Sequence, residues 1–309
     1  MRIGLDVGGS KTDAVAVAPD GTLLARVRRA TGWGPDAVMR TIVEAVREVA
    51  GVAGVSPGDA VSIGIGTPGQ VTGGSLVTHA VNLGVDRLDL AAGVAPVFGV
   101  PVRVENDVKA AARGAYALHD GEGTVAYLNL GTGVAAGFVR DGVLWRGARG
   151  TAGEVGHISV DPAGPLCRCG QRGCIEVFAG GGAIAERWGR GGALPVRDVF
   201  DAADAGDLRA AGLRDGLAFG VAAAVRLLVL TVDVDAVVVG GGLSALGARM
   251  LGLVVAELEA GAMASAFLRS LALADRVELL PAGSPAAALG AALIGSDPVP
   301  AEQEAVAHG

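Results

Sequence analysis

The chain has 309 residues, 51% of them hydrophobic and 18% charged, which excludes a disordered polypeptide and gives room for two modest domains. A formal net charge of −7 argues against a nucleic-acid partner, because binding a phosphate backbone needs a basic face. The opening MRIGLDVGGS lacks a basic-apolar leader, and Asp233 and Asp235 interrupt the most apolar run, Leu227 to Val239, so a cytoplasmic protein with no membrane partner is expected.

In chain order, Arg2 to Val7 reads as a strand running into Gly8-Gly9. Asp13 to Ala18 and Thr22 to Val27 form a hairpin about the turn Pro19-Asp20-Gly21. A helix from about Pro35 to Ala50 places Val38, Ile42, Val46 and Val49 on one stripe. Val61 to Ile65 is a buried strand ending in the loop Gly66-Thr67-Pro68-Gly69. Val102 to Val104 is another strand, followed by Glu105-Asn106-Asp107 and an Ala-rich helix, Val108 to Leu118.

The opening pattern then recurs. Thr124 to Leu130 is a strand ending in Gly131-Thr132-Gly133, and Val134 to Arg140 and Val143 to Trp145 pair about Asp141-Gly142. Aligned on their turns, the two segments put Asn129 on Asp6 and Gly131 on Gly8, as a duplicated unit would. The stretch from Gly147 to Gly182 is loop-rich and holds every cysteine. Helix follows from Leu208 through Leu230, then a strand Ala236 to Val239 ending in Gly240-Gly241-Gly242. Another helix, a strand from Val277 to Leu280, an Ala-rich helix from Pro285 to Ile294 and a frayed tail from Asp297 complete the chain. Two α/β domains sharing a cleft is the expected architecture.

Three strand-to-glycine junctions, at 8–9, 131–133 and 240–242, expose successive backbone N–H groups suited to one anionic nucleotide. Asp6 stands just before the first, where a carboxylate can hold Mg²⁺ directly or through water, and Thr12 offers a hydroxyl. Neither a GxxxxGK[ST] loop nor a GxGxxG after the first strand is present. His157, Cys167, Cys169 and Cys174, spaced H-x9-C-x-C-x4-C among polar neighbours, make a Cys₃His set suited to structural Zn²⁺. Asp107, where a strand meets a helix, reads either as a helix cap or as a catalytic carboxylate. Glu154, His157 and Glu176 on the metal loop favour the second reading, since carboxylates and imidazole suit a polyhydroxylated ligand.

DVGGSKT at 6–12, GIGTPG at 64–69, VENDVKAA at 104–111, LNLGTGVAAG at 128–137, GTAGEVGH at 150–157, CRCGQRGCIE at 167–176 and VVVGGGLS at 237–244 together resemble the ROK family of repressors, open reading frames and kinases. The resemblance implies an α/β, actin-like ATPase fold, a duplicated RNase H-like unit with ATP between two lobes. Residues 1–118 with 285–309 are expected as the smaller lobe, and 119–284 as the larger lobe carrying the zinc loop. It further implies an ATP-dependent hexose kinase with Asp107 as general base and Gly69, Asn106, Asp107, Glu154, His157 and Glu176 as sugar contacts. Asp6, Gly8, Gly9, Lys11, Thr12, Gly131, Thr132, Gly133, Gly240, Gly241 and Gly242 are then nucleotide contacts. His157 would use one ring nitrogen on zinc and the other toward the sugar. Ser10 stands where Thr is usual, and Ala80 to Val85 resembles the Asn-Leu stretch of glucokinases without the aromatic that often follows it. Glucose is the first expected substrate. N-acetylhexosamine or fructose/mannose kinase activity is the alternative, and a non-catalytic sugar-responsive regulator a further one. A repressor would carry a helix-turn-helix ahead of the first strand, which begins here at Arg2. A homodimer or homotetramer is expected from the resemblance.

Overall fold

The computed structural model describes residues 1–119, 122–281 and 283–296, so the expected tail from Asp297 lies outside the described residues. In chain order the elements begin with β1 (Arg2–Val7), β2 (Lys11–Val17), β3 (Leu23–Ala30), α1 (Pro35–Val52) and β4 (Ser62–Thr67). A three-stranded ribbon follows, β5 (Gln70–Thr72), β6 (Leu76–Ala80) and β7 (Val85–Asp89). Next come α2 (Leu90–Phe98), β8 (Val102–Asn106) and α3 (Asp107–Leu118). The chain continues with β9 (Thr124–Leu130), β10 (Val134–Arg140), β11 (Val143–Trp145), α4 (Ile175–Ala179), α5 (Gly181–Trp188), α6 (Pro195–Asp204) and α7 (Leu208–Val232). It ends with β12 (Ala236–Gly240), α8 (Ala248–Ala262), α9 (Ala266–Ser270), β13 (Val277–Leu279) and α10 (Ala286–Ile294).

Two compact units result, Met1–Leu118 with the segment from Pro285, and His119–Ser284. Each is built on a five-stranded sheet, ordered β3-β2-β1-β4-β8 in the first and β11-β10-β9-β12-β13 in the second. In both, the first three strands are antiparallel neighbours and the last two join in parallel. The registers also correspond: Asp6 lies opposite Gly66 of β4, and Asn129 opposite Gly240 of β12. The duplication read from the sequence is thus a duplication of topology and register.

One face of the first sheet buries Ile3, Leu5, Ala14, Ala16 and Ile63 with Val38, Ile42 and Val46 of α1. Fully burying each such Val, Ile or Leu side chain is worth about 1.5–3 kcal/mol. The opposite face carries α3 and α10, and there helix backbone meets sheet backbone. A Cβ at Gly4 would stand 2.0 Å from the Ala288 carbonyl oxygen, and one at Gly64 1.7 Å from that of Ala291. This close layer makes use of the glycine-rich sequence and fixes the start of α3, where Asp107 sits. In the second unit α7 packs Leu213, Leu217, Val221 and Leu228 into the core. Among the described residues it is the one helix long and apolar enough to cross a membrane, and half of its most apolar stretch is buried.

Candidate active site and metal centre

In the first unit β1, β4 and β8 run parallel, so their C-terminal ends share one edge of the sheet. Asp6 lies at the end of β1, Asn106 ends β8 and Asp107 opens α3. The Asn106 amide organises this edge. Its Oδ1 accepts from the Val108 N–H at 3.1 Å and the Lys109 N–H at 3.3 Å, so Asn106 and not Asp107 is the residue that caps α3. Its Nδ2 donates to the Gly69 carbonyl at 3.3 Å and to Asp107 Oδ1 at 3.1 Å. The Val108 N–H also donates to Asp107 Oδ1, at 2.9 Å.

Asp107 is therefore oriented through one oxygen. Burial raises its pKa above the ordinary carboxylate value despite these donors. Asp6 is pushed up to about 7, by burial first and then by the charges of Asp107 and Asp13. The Asp107 charge thus works against ionisation of Asp6, which a cation bound nearby would favour. Asp13, across the β1–β2 pair from Asp6, is different. Burial works to raise its pKa, but hydrogen bonds from Arg26, with Nε 2.9 Å away, and Arg28, at 2.7 Å, outweigh it and hold Asp13 below the usual range.

The turn after β1 is closed by the Gly8 N–H donating to the Lys11 carbonyl at 3.0 Å, and the Lys11 side chain is exposed. A Cβ at Gly9 would stand 2.7 Å from the Asn82 carbonyl, so this turn lies against the residues following β6. Thr12 flanks that turn, opposite Val7, with its side chain turned inward. It is fully buried, and its hydroxyl pairs with that of Thr31 at 2.9 Å.

In the second unit the Gly131–Gly133 turn closes with the Gly131 N–H on the Gly133 carbonyl at 3.0 Å. The three glycines at the end of β12 divide their work. Gly240 packs on the Tyr127 ring, Gly241 takes φ +84° with the Asn129 amide oxygen 2.7 Å from its ideal Cβ, and Gly242 lines an open cavity. The cavity holds about 640 Å³ and is lined by Gly131, Thr132, Gly182, Pro195, Leu246 and Arg249 among others. Sequence reasoning missed its outer wall, from α5, α6 and α8. A fourth glycine run, Gly180-Gly181-Gly182, and the Pro195 that opens α6 were the available signals.

Glu154 and His157 stand on a segment pinned to β10. A Cβ at Gly153 would lie 1.8 Å from the Ala136 carbonyl oxygen, and one at Gly156 2.1 Å from that of Val134. Glu154 is exposed and His157 half-buried. Glu176 reaches the same strand, its Oε2 accepting the Val134 N–H at 3.0 Å. The backbone beside Glu154 and His157 and the Glu176 carboxylate thus meet the first residues of β10.

The ligand atoms of His157, Cys167, Cys169 and Cys174 all lie within 4.8 Å of one another. The Cys169 and Cys174 sulfurs are 3.6 Å apart, and the Cys167 sulfur is 4.0 Å from His157 Nδ1. Sulfurs bound tetrahedrally at about 2.3 Å to zinc stand about 3.8 Å apart, so the donor set fits that metal. Cys167 and Cys174 are buried and Cys169 is exposed. Gly173 is required where it stands, since its φ is +64° and a Cβ would lie 1.6 Å from the Asp161 carbonyl. The ring nitrogen facing the sulfurs is Nδ1, which leaves Nε2 for another partner.

The same fold recurs in known proteins. A glucokinase of Halalkalibacterium halodurans is 31% identical over 84% of this chain and 86% of its own length. An N-acetylmannosamine kinase of Yersinia pseudotuberculosis is 31% identical over 83% of this chain and 85% of its own. The crystal structure of a ROK family glucokinase from Streptomyces griseus in complex with glucose and AMPPNP superposes with a TM-score of 0.77 at 29% identity, covering 95% of this chain and 98% of that one. The family model described as ROK matches residues 2–297. This match, over nearly the whole chain, establishes that the chain belongs to the ROK family.

Proposed function

We propose that this protein is a cytoplasmic ATP-dependent hexose kinase, with glucose as first substrate, converting glucose and ATP to glucose 6-phosphate and ADP. The observation that carries the reading is the Asp107 carboxylate, recessed at the shared C-terminal edge of three parallel strands and oriented by Asn106 and Val108. Phosphoryl transfer to a hydroxyl needs positioning, charge neutralisation and an acceptor for the hydroxyl proton. Asp107 keeps one oxygen for that proton, while Gly69, Asn106, Glu154, His157 and Glu176 hold the remaining hydroxyls. Zinc held by His157, Cys167, Cys169 and Cys174 fixes the loop and the orientation of the imidazole.

The nucleoside of ATP is assigned to the cavity beside Gly131, Thr132 and Gly242, whose size suits it. Gly8, Gly9, Lys11, Gly133, Gly240 and Gly241 belong to the turns assigned to its phosphates. Asp6 would hold Mg²⁺, which neutralises phosphate charge when bound. Thr12 contributes from within the fold, through Thr31. The chain is assigned to a homodimer or homotetramer.

A second reading, an N-acetylhexosamine kinase, is favoured by the 31% identity to the N-acetylmannosamine kinase, the same as to the Halalkalibacterium halodurans glucokinase, and by the missing aromatic after Asn82-Leu83. Coupled detection of ADP formation with Mg-ATP against glucose, mannose, fructose and N-acetylhexosamines separates the two. The expected result is the highest kcat/KM with glucose, and no turnover with any of these sugars would overturn the kinase assignment.

A further inference from the structure

Glu176 touches more than its expected ligand role requires. It is the second residue of α4, which begins directly after the metal-loop residue Cys174, and the Ile175 N–H beside it donates to the Ile158 carbonyl at 3.0 Å. Its carboxylate accepts the Val134 N–H, immediately after the glycine turn. The chain following Glu176 then takes hold of the same turn from the other side. The Gly181 N–H donates to the Gly131 carbonyl and the Gly182 N–H to that of Thr132, each at 2.9 Å. Residues 176–182 thus grip residues 131–134 at three points.

Gly133 carries the second observation. Its backbone is not in the left-handed region, so conformation does not demand glycine there. A Cβ at Gly133 would stand 2.4 Å from Glu176 Oε2 and 3.3 Å from its carboxyl carbon, and the next nearest atom, Oε1, is 4.0 Å away. Within the chain, then, the group that a side chain at Gly133 would have to displace is the Glu176 carboxylate.

We propose that Glu176 is a positioning residue for the 131–134 turn, clamping it to the metal-binding loop, in addition to any contact with the sugar. The inference rests on the reading that this turn binds nucleotide phosphates. The clamp needs a hydrogen-bond acceptor of the right length and not a charge. Gln retains such an acceptor and Ala removes it. A residue acting only on sugar would leave nucleotide affinity untouched in either variant.

The test is calorimetric titration of MgADP, without sugar, into the zinc-loaded wild type, Glu176→Gln, Glu176→Ala, Gly133→Ala and the double variant Gly133→Ala/Glu176→Ala. Glu176→Gln is expected to bind within about threefold of wild type, and Glu176→Ala about tenfold more weakly. Gly133→Ala, which pushes the carboxylate off the turn by its methyl group, should match Glu176→Ala, and the double variant should be no worse than either single one. The Gly133→Ala measurement stands even if Glu176→Ala folds poorly. Equal MgADP affinity in wild type, Glu176→Ala and Gly133→Ala would overturn the proposal, as would losses that multiply in the double variant. Absence of MgADP binding by the wild type would instead overturn the nucleotide assignment itself, so the two failures are distinguishable.

Discussion

The two units start from the same sheet and diverge at one position. In the first, the residue at the end of the opening strand is Asp6, a carboxylate facing the charge of Asp107. In the second it is Asn129, whose neutral amide sits between two glycine turns, 3.2 Å from an ideal Cβ at Gly131 and 2.7 Å from one at Gly241. The first copy therefore concentrates negative charge that a cation or a proton must offset, while the second knits backbone turns together. An identical topology has been divided into an acid-base edge and a backbone cradle backed by a metal loop. With the sheet order shared, the side chains at the strand ends distinguish the two edges.

The largest effect should come from the acid-base edge. Asp107→Asn keeps the side-chain shape but cannot take a proton, so kcat should fall by about 10² to 10⁴-fold in the coupled ADP assay. Because burial raises the Asp107 pKa, wild-type kcat should also decline on the acid side at a pH above the ordinary carboxylate value.

On the second unit, Cys169→Ser should lower bound zinc from one per chain, by elemental analysis, and cost about 5 °C or more in Tm. Full zinc content in that variant would break the assignment of the metal to these four donors.

Asp6→Asn sharpens the comparison through stability. A carboxyl raised from 3.8 to about 7 keeps its proton in the folded state while the unfolded chain releases it. Stability of the nucleotide-free protein should therefore fall as pH climbs from about 4 to about 7. At pH 8 Asp6→Asn should be the more stable protein by up to a few kcal/mol, with the difference vanishing near pH 4, as read by thermal unfolding across pH. A wild type as stable at pH 8 as Asp6→Asn would contradict this.

Thr12→Val should show the smallest effect. It leaves the Thr31 hydroxyl without its partner, at about 1–2 kcal/mol of stability, with kcat and the KM for ATP within about twofold of wild type. A tenfold rise in that KM would return Thr12 to the nucleotide site.

Much of this was legible because the informative signals were local. The hairpins of the repeat are set by turn chemistry, and β9, β10 and β11 begin and end where their alternation and turn residues place them. The metal-loop residues were legible from the spacing of His157 and the three cysteines and from the polar residues among them. The burial of Thr12 was not legible, because β2 begins at Lys11, two residues earlier than expected, and strand alternation then turns Thr12 to an apolar face. The ribbon β5–β7 escaped notice because its strands are short, Gly73-Gly74 break the alternation, and His79 adopts a positive φ of 56° inside the pairing. Asn106 as the cap, and the contact of Glu176 with Val134, are relations between chain-distant or competing groups that periodicity does not encode.

The central claim, that Asp107 acts as the base and is more than a holder of helix or sugar, is tested most directly on one preparation of Asp107→Asn. Glucose affinity is titrated calorimetrically and turnover is measured alongside wild type. The account predicts glucose binding within a few-fold of wild type, unchanged zinc, and kcat reduced at least about a hundredfold. Because Asn106 already caps α3, stability should be nearly intact. A variant that keeps more than about a tenth of wild-type kcat would contradict the assignment of the base.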